Sequence, residues 1–228
     1  MDLQTNGVYL TDDGSHSIIS EQFNESYHSR HGALKESIHV FINAGLKAFN
    51  AKSEISILEV GLGTGLNAWL TNIESRKQDK IIKYTGLEPY PITTEIAESL
   101  NYPNVLFEQD IDMHRKCFLK LHETEWDETM VLDENFHFTK IKTTLSDFSP
   151  DHKFDIVYFD AFAPNAQPEL WTEEVFQKLF HLMAPGGIMV TYCAKGTVKR
   201  SLKAIGFTVE TLEGPPGKRE MTRAVKPT

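Results

Sequence analysis

An apolar run that ends in three alternating glycines constrains this chain more than any other stretch. Residues Ile55–Gly65 read ISILEVGLGTG, and a helical pattern begins directly after them at Leu66. The run predicts a buried strand that breaks into a tight turn and then opens a helix. Because glycine has no Cβ and tolerates positive φ, a ligand can lie against this backbone, where the helix N-terminus presents free N–H groups. The stretch therefore predicts a site for a nucleoside-bearing ligand.

The spacing of the glycines separates two classes of cofactor. The dinucleotide fingerprint G-x-G-x-x-G requires a small residue three positions after its second glycine, but Leu66 stands three positions after Gly63. The pattern is instead E-x-G-x-G-x-G, from Glu59 through Gly61 and Gly63 to Gly65. It resembles motif I of the class I S-adenosyl-L-methionine (SAM) methyltransferases. That resemblance implies a sulfonium cofactor without a pyrophosphate, and it places Glu59 near the cationic methionine end.

Three further acids follow predicted strands. Glu88 ends a strand pattern at the position where nucleotide-binding folds place the acceptor for the ribose hydroxyls. Phe154–Asp160 is a second apolar strand that ends in an acid, and the fourth strand of such a sheet lies beside the first. Asp160 is therefore expected to face the position of the transferred methyl group. Asp147 lies in a third strand predicted to run on to Phe148, where SAM-binding folds commonly accept from the adenine amino group.

Length and composition limit the class of protein. The chain has 228 residues, 40% of them hydrophobic, which is enough for one well-buried α/β domain with a small appendage. No run approaches the roughly 18 apolar residues of a membrane span, and Met1–Gln4 shows no signal region, so a cytoplasmic protein without membrane contact is expected. The two cysteines, Cys117 and Cys193, lie outside any C-x-x-C pattern, so neither a disulfide framework nor a cysteine metal site is expected.

Charge is distributed unevenly along the chain. The formal net charge is −9, which argues against a protein that coats nucleic acid by bulk electrostatics. Residues 195–228 nevertheless carry eight basic and three acidic side chains. Such a segment permits a face that contacts phosphates, and it is equally compatible with an ordinary solvated surface.

Four motifs, in order along the chain, carry a more specific resemblance. They are the loop Tyr27–Ser37, the D-x-F-A-P sequence Asp160–Pro164, the pair Leu170-Trp171 and the G-K-R-E-M sequence Gly217–Met221. With these motifs the chain resembles the MnmD family over nearly its whole length. That family is the stand-alone counterpart of the methyltransferase half of bifunctional MnmC. One departure is Gly214–Gly217, because the family more often has an aromatic residue between these glycines.

The MnmD resemblance implies a reaction, a substrate and a set of site residues. The reaction is transfer of the methyl group of SAM to the amine of 5-aminomethyl-(2-thio)uridine at the wobble position of tRNA, giving 5-methylaminomethyl-(2-thio)uridine. No metal and no obligate protein partner are implied. Asp160 is the expected catalytic residue at the amine. The residues expected to bind the cofactor are Glu59, Gly61, Gly63, Gly65, Glu88 and Asp147, and those expected to bind the tRNA are Phe162, Trp171, Lys218 and Arg219.

The predicted fold is α/β, a Rossmann-like class I methyltransferase. Its mostly parallel sheet is expected to have seven strands and to end in an antiparallel strand pair. Residues 1–50 are expected to form an N-terminal elaboration with a short hairpin, a loop that covers the cofactor and a helix. Residues 51–228 are expected to form the methyltransferase domain.

Two other functions stay open at this point. An aminopropyltransferase of the spermidine synthase kind also joins a sulfonium nucleoside to an amine beside an acid, but it needs a small polyamine pocket in place of a basic tRNA face. A SAM-binding module without catalysis would bind the cofactor, yet it would leave the acid at Asp160 unexplained.

Overall fold

The apolar run before the glycines lies at the centre of the protein. In a computed structural model that describes residues 7–49, 52–78 and 80–228, the run forms one strand of an eight-stranded sheet. The strands are β1 (Val8–Leu10), β2 (His16–Ser20), β3 (Glu25–Ser26), β4 (Glu54–Val60), β5 (Ile81–Leu87), β6 (Thr129–Asp133), β7 (Phe136–Ile141), β8 (Phe154–Phe159), β9 (Met183–Thr191), β10 (Thr208–Glu213) and β11 (Glu220–Val225). The helices are α1 (Ala33–Ser37), its π-helical continuation (Ile38–Leu46), α2 (Leu66–Gln78), α3 (Thr94–Ser99), α4 (Tyr102–Leu106), α5 (Ile111–Glu123), α6 (Glu173–Leu182) and α7 (Gly196–Ile205), with a 3₁₀ turn at Pro168–Trp171.

The order of strands in the main sheet is β10-β11-β9-β8-β4-β5-β7-β6. The five strands from β9 to β7 run parallel, whereas β10, β11 and β6 each pair antiparallel with their neighbours. This arrangement confirms the predicted α/β class and the antiparallel pair at the C-terminal end. The strand count is eight where seven were predicted, because β6, the first strand of a β6–β7 hairpin, joins the edge of the sheet.

The central strands are apolar throughout because both faces of the sheet are covered. In β8, Ile156 and Tyr158 pack into a core with Trp69, whereas Val157 and Phe159 pack into a second core on the other face. All four of these β8 side chains are fully buried. Burial on both sides therefore fixes the strand at the middle of the sheet, next to β4.

The pairing of β4 with β8 brings the glycine turn and Asp160 together. Val60 is in register with Phe159, and the Asp160 N–H donates to the Val60 carbonyl at 3.0 Å. Gly61 follows with φ +89°, and a Cβ at this position would lie 2.7 Å from the Asp160 carbonyl oxygen. Both the backbone conformation and the space at Gly61 therefore require glycine.

The third parallel strand is shorter than the sequence pattern predicted. β7 ends at Ile141, although the pattern extended it to Phe148. The Thr144 hydroxyl accepts the Asp147 N–H at 3.2 Å, and the Thr144 carbonyl accepts the Phe148 N–H at 3.2 Å. These local hydrogen bonds form a turn in place of a continued strand.

The N-terminal part of the chain forms a small sheet of its own. The predicted hairpin of β1 and β2 is present, and β3 adds a third, short strand. Asn101 attaches this sheet to the rest of the protein, since its side chain accepts from the His16 N–H and donates to the Gly14 carbonyl. The division into residues 1–50 and 51–228 stays a prediction, and Met1–Gln4 together with residues 50 and 51 lies outside the described residues. Within the described ranges, no helix is both long enough and apolar enough to cross a membrane.

Replacement of Gly61 by alanine is expected to cost far more stability than the same change at Gly14. Both glycines have positive φ, but a Cβ at Gly14 would meet no atom within 4 Å. Gly14→Ala is expected to lower the free energy of unfolding by about 1 kcal/mol, the cost of the left-handed conformation. Gly61→Ala adds a clash with backbone and is expected to cost about 3 kcal/mol or more. Urea denaturation measures the free energy of unfolding of both variants. If the two variants lost the same free energy, the contact between Gly61 and Asp160 would not be tight.

Candidate active site

A cavity of about 570 Å³ opens at the carboxyl ends of β4, β5 and β8. Its wall is formed by the glycine turn with the start of α2, the end of β5, the loop after β7, the loop after β8, the N-terminal segment of residues 23–30, and side chains from α1 and from the turn before β11. The cavity therefore lies where ligands bind in open α/β sheets, outside the carboxyl ends of the strands.

The glycine turn presents few free N–H groups to this cavity. Gly61 and Leu62 both donate to the Leu87 carbonyl, Gly63 donates to the Glu88 carboxylate, and Gly65 donates to the Leu62 carbonyl. The free N–H groups expected at the helix N-terminus are therefore not supplied by these four residues, which precede α2. Gly61 and Leu62 donate to the last residue of β5, and Gly63 donates to the residue that follows it. Such a turn is poorly suited to a pyrophosphate, which binds to free backbone N–H groups.

Glu88 lies on the cavity wall and is attached to the glycine turn. One carboxylate oxygen accepts the Gly63 N–H at 2.9 Å, and the other accepts the Tyr90 N–H at 2.8 Å. Burial raises the pKa of Glu88, and these two backbone hydrogen bonds oppose that rise. Each oxygen can still accept a further hydrogen bond, so the carboxylate can hold two hydroxyl groups of a ligand.

Glu59 and Asp160 are connected through the side chain of Asn67. The Asn67 Nδ2 donates to Glu59 Oε1 at 2.9 Å and to Asp160 Oδ2 at 2.8 Å. Glu59 is fully buried, is absent from the cavity wall, and also accepts from the Tyr84 hydroxyl at 2.8 Å. Glu59 thus lies beneath the glycine turn, outside the cavity wall. Its contact with the cavity is indirect, through Asn67.

Asp160 has an unusual protonation equilibrium. Desolvation is the main cause that raises its pKa, to about 7, and the negative charge of Glu36 adds to the rise. The hydrogen bond from Asn67 and the positive charge of Lys218 act in the opposite direction. Near neutral pH this carboxyl group therefore exists in both protonation states, as is common for acids and bases at reaction centres.

Lys218 lies in the basic C-terminal segment of the sequence, and its side chain forms part of the cavity wall. Its Nζ donates to Glu36 Oε2 at 2.8 Å and lies 3.8 Å from the centroid of the Tyr192 ring. The side chain of Glu36 is 8% exposed and that of Lys218 is 33% exposed, so the carboxylate of this ion pair is shielded from water while the lysine is half-buried. The pair joins α1 to the turn before β11 across the cavity.

Aromatic rings form another part of the cavity wall. The Phe162 ring packs against Phe23 and Tyr27, with centroid distances of 4.8 and 5.2 Å. Trp171 is not part of the wall, but its Nε1 donates to the Phe162 carbonyl at 2.8 Å and its ring packs against Phe159. Phe162 is thus available to a ligand, whereas Trp171 supports the loop that carries it.

Five predicted site residues do not form the cavity wall: Glu59, Gly65, Asp147, Trp171 and Arg219. Asp147 is exposed and accepts a hydrogen bond from the Thr144 hydroxyl at 2.8 Å, while the adjacent Leu145 and Ser146 form the wall. Arg219 is exposed, next to Lys218 but not in the wall. The cavity therefore brings together Gly61, Gly63, Glu88, Asp160, Phe162 and Lys218 of the predicted set.

Sequence reasoning missed three polar residues of this site. Asn67 is a polar side chain directly after the glycine turn at the start of a helix, and His28 and Glu36 lie in the motif loop Tyr27–Ser37, but none of the three was assigned a role in the site. Glu36 is close to Lys218 only through a contact between residues 182 positions apart. His28 hydrogen-bonds the Thr64 hydroxyl at 2.8 Å, and burial lowers its pKa to about 4, so it is neutral at pH 7.

Comparisons with known proteins agree with this geometry. A family model described as S-adenosyl-L-methionine-dependent methyltransferase matches residues 106–227. Two relatives are each named tRNA 5-methylaminomethyl-2-thiouridine biosynthesis bifunctional protein MnmC. The relative from Marinomonas sp. (strain MWYL1) is 31% identical over 214 residues, which cover 89% of this chain and 31% of the relative. The relative from Ectopseudomonas mendocina (strain ymp) is 30% identical over 217 residues, which cover 89% of this chain and 32% of the relative.

The chain spans about a third of the length of these relatives. Among solved structures, the crystal structure of MNMC2 from Aquifex aeolicus superposes with a TM-score of 0.74 and 24% identity, covering 97% of this chain and 71% of that chain. The structural likeness confirms the predicted class I methyltransferase fold. The relatives confirm the predicted resemblance to the methyltransferase half of MnmC.

The raised pKa of Asp160 has a consequence for stability that can be measured. Because the folded-state pKa lies above the unfolded value, the folded state gains stability from this group at low pH and loses it as pH rises through about 7. Asp160→Asn removes the titration, so it is expected to stabilise the protein by about 1–3 kcal/mol more at pH 8 than at pH 5. Urea denaturation at both pH values measures the difference.

Asp155→Asn is the matched control for that measurement. Asp155 is a buried aspartate at the start of the same strand, where it pairs with Lys52 and accepts the Ser56 N–H. Its replacement by asparagine removes an ion pair, so Asp155→Asn is expected to give no increase in the free energy of unfolding at pH 8. A gain for Asp155→Asn equal to that for Asp160→Asn, or no pH dependence for either variant, would contradict the raised pKa of Asp160.

Proposed function

Because the chain belongs to the S-adenosyl-L-methionine-dependent methyltransferases, we propose that it methylates the amine of 5-aminomethyl-(2-thio)uridine at the wobble position of tRNA. The observation that carries this proposal is the carboxylate of Asp160 in the cavity wall, beside the glycine turn. Relatives named for 5-methylaminomethyl-2-thiouridine biosynthesis support the choice of substrate. A tRNA substrate implies that the reaction takes place in the cytoplasm.

The residues present fit the cofactor. The cavity volume of about 570 Å³ is typical of small-molecule sites. The carboxylate of Glu88 has acceptor capacity for two ribose hydroxyls beside Gly63. The glycine turn satisfies most of its own N–H groups, which suits a nucleoside without a pyrophosphate. We propose that Gly61, Gly63 and Glu88 hold the cofactor, that Leu145 and Ser146 contact it where Asp147 was expected, and that Gly65 shapes the turn.

The reaction requires a neutral amine and an acceptor for one proton. SAM supplies an electrophilic methyl group on a sulfonium. An alkylamine is mostly protonated at pH 7, by analogy with lysine, whose pKa is about 10.4. An ionised Asp160 attracts and orients this cation, and its pKa of about 7 makes it a better proton acceptor than an ordinary aspartate. Holding the amine in line for transfer supplies most of the rate.

Recognition of the tRNA is proposed to use only part of the basic C-terminal segment. Lys199 pairs with Glu220 and Arg223 pairs with Glu210, so both are neutralised locally. Lys226 donates to two backbone carbonyls. The basic side chains exposed on this segment are Lys195, Arg200, Lys203 and Arg219. We propose that these four contact phosphates and that the target base is everted into the cavity to reach Phe162.

Methyl transfer from labelled SAM to tRNA carrying 5-aminomethyluridine tests this proposal. Label is expected in this tRNA and not in tRNA that lacks the aminomethyl group. Putrescine with decarboxylated SAM is the parallel test of the aminopropyltransferase alternative. Transfer to putrescine, or SAM binding without any transfer, would contradict the proposed function.

The role of Asp160 is tested by comparing Asp160→Asn with Asp155→Asn in the same assay. The first variant keeps the shape of the side chain but loses the negative charge, so kcat is expected to fall about 100-fold or more. Its Kd for SAM is expected to rise by no more than about ten-fold, because the sulfonium also faces this carboxylate, so turnover falls much further than SAM affinity. Asp155→Asn is expected to retain turnover. Parallel loss of SAM affinity and turnover in Asp160→Asn would instead make Asp160 a cofactor-binding residue.

A further inference from the structure

Lys218 is held in one orientation on the cavity wall. Its ammonium group donates to Glu36 and lies over the ring of Tyr192. Glu36 is in turn fixed by the Ser29 N–H, which donates to its second carboxylate oxygen at 3.0 Å. A lysine that served only to contact phosphates at the surface would not need a shielded carboxylate and an aromatic ring to orient it.

The same contacts bring Lys218 close to the reacting acid. The hydroxyl group of Tyr192 donates to the carbonyl of Ala161 at 2.8 Å, so the ring beneath Lys218 is attached to the residue after Asp160. The charges of Lys218 and Glu36 both act on the Asp160 carboxyl, in opposite directions. Lys218 and Asp160 therefore face the same part of the cavity.

Lys218 can donate a hydrogen bond to a ligand, whereas an ionised Asp160 can accept one. An ammonium group has three N–H donors, of which Glu36 takes one and the Tyr192 ring faces another, so a third can serve a ligand. On Asp160, Asn67 occupies Oδ2 and leaves Oδ1 as an acceptor. A ligand that fits both residues carries an N–H donor next to a hydrogen-bond acceptor.

We propose that Lys218 selects uracil by donating a hydrogen bond to the 4-carbonyl oxygen, while Asp160 accepts from the neighbouring 5-aminomethyl group. This inference rests on the proposed function and names the base-reading residue of that same site. In uracil, C4 and C5 are adjacent, so the acceptor and the amine lie side by side. Cytosine carries an amino group at C4, which is a donor and would face the ammonium group of Lys218. A site built around such a hydrogen bond rejects the analogue that cannot accept it.

Two short anticodon stem-loop RNAs test the proposal. They differ only in the target base, which is 5-aminomethyluridine in one and 5-aminomethylcytidine in the other. The parent protein is expected to prefer the uridine RNA by about 100-fold or more in kcat/KM. Lys218→Met is expected to lower kcat/KM for the uridine RNA by about 30-fold, the loss of one charged hydrogen bond, and to leave the cytidine RNA unchanged or improved. The preference then falls to less than about ten-fold.

Two further variants separate this role from a structural one. Glu36→Gln/Lys218→Met removes the donor without leaving a shielded carboxylate unpaired, and it is expected to lose the preference for uridine in the same way. Lys199→Met is the matched control, because Lys199 also pairs with a carboxylate at 2.7 Å but lies outside the cavity wall. It is expected to keep the parental preference. The melting temperature and the Kd for SAM are measured for every variant to show that each is folded.

The outcomes distinguish the two claims. Equal loss on both RNAs in the Lys218 variants, or a preference unchanged from the parent, would overturn the assignment of Lys218 while leaving the reaction intact. A parent protein that methylates neither RNA would overturn the proposed function and this inference with it.

Discussion

The close contact between Gly61 and the Asp160 backbone determines the geometry of the whole site. Parallel pairing of β4 with β8 places a positive-φ glycine against the carbonyl of the acid, with no space for a side chain between them. The glycine turn and the carboxylate of Asp160 therefore cannot move independently. Such alignment accelerates methyl transfer, since the reaction depends on holding two reactants in line. The apolar cores on both faces of the sheet keep the two strand ends together.

The polar network around this contact favours a positively charged ligand. Burial raises the pKa values of Glu59, Glu88 and Asp160, so the folded protein resists full ionisation of these acids. A positively charged ligand lowers the free-energy cost of ionising these acids, because it stabilises the carboxylates. Both the sulfonium of SAM and a protonated amine supply such a charge. Asn67 holds two of the acids in place by donating one N–H to each, and this keeps Asp160 oriented before any ligand arrives.

The features that depend on local sequence could be predicted, and those that depend on distant contacts could not. The glycine turn and the acids at the ends of β5 and β8 follow from apolar strands that stop at polar residues. Asp147 was placed on a strand that ends earlier, because the hydrogen bonds of Thr144 form a turn. Trp171 matched a family motif, yet it lies outside the cavity wall and its Nε1 donates to the Phe162 carbonyl.

Long-range contacts account for the rest of the site. The pair formed by Glu36 and Lys218 joins residues 182 positions apart, and no periodic pattern in either segment indicates it. The family motif and the basic segment predicted a tRNA contact for Lys218, but neither indicated that it pairs with Glu36 in the cavity wall. Likewise, Glu59 looked like a ligand-facing acid, but the β4 register points its side chain beneath the turn, towards Tyr84 and Asn67.

The most direct test of this account is the pKa of Asp160 measured by ¹³C NMR of its carboxyl carbon, assigned with Asp160→Asn. In the free protein the signal is expected to titrate near 7. Addition of SAM is expected to lower this pKa because a sulfonium cation then faces the carboxylate, whereas S-adenosylhomocysteine, a neutral thioether, is expected to lower it less. Titration near the ordinary aspartate value of about 3.9 in the free protein, or equal responses to the two nucleosides, would contradict the claim that Asp160 faces the transferred methyl group.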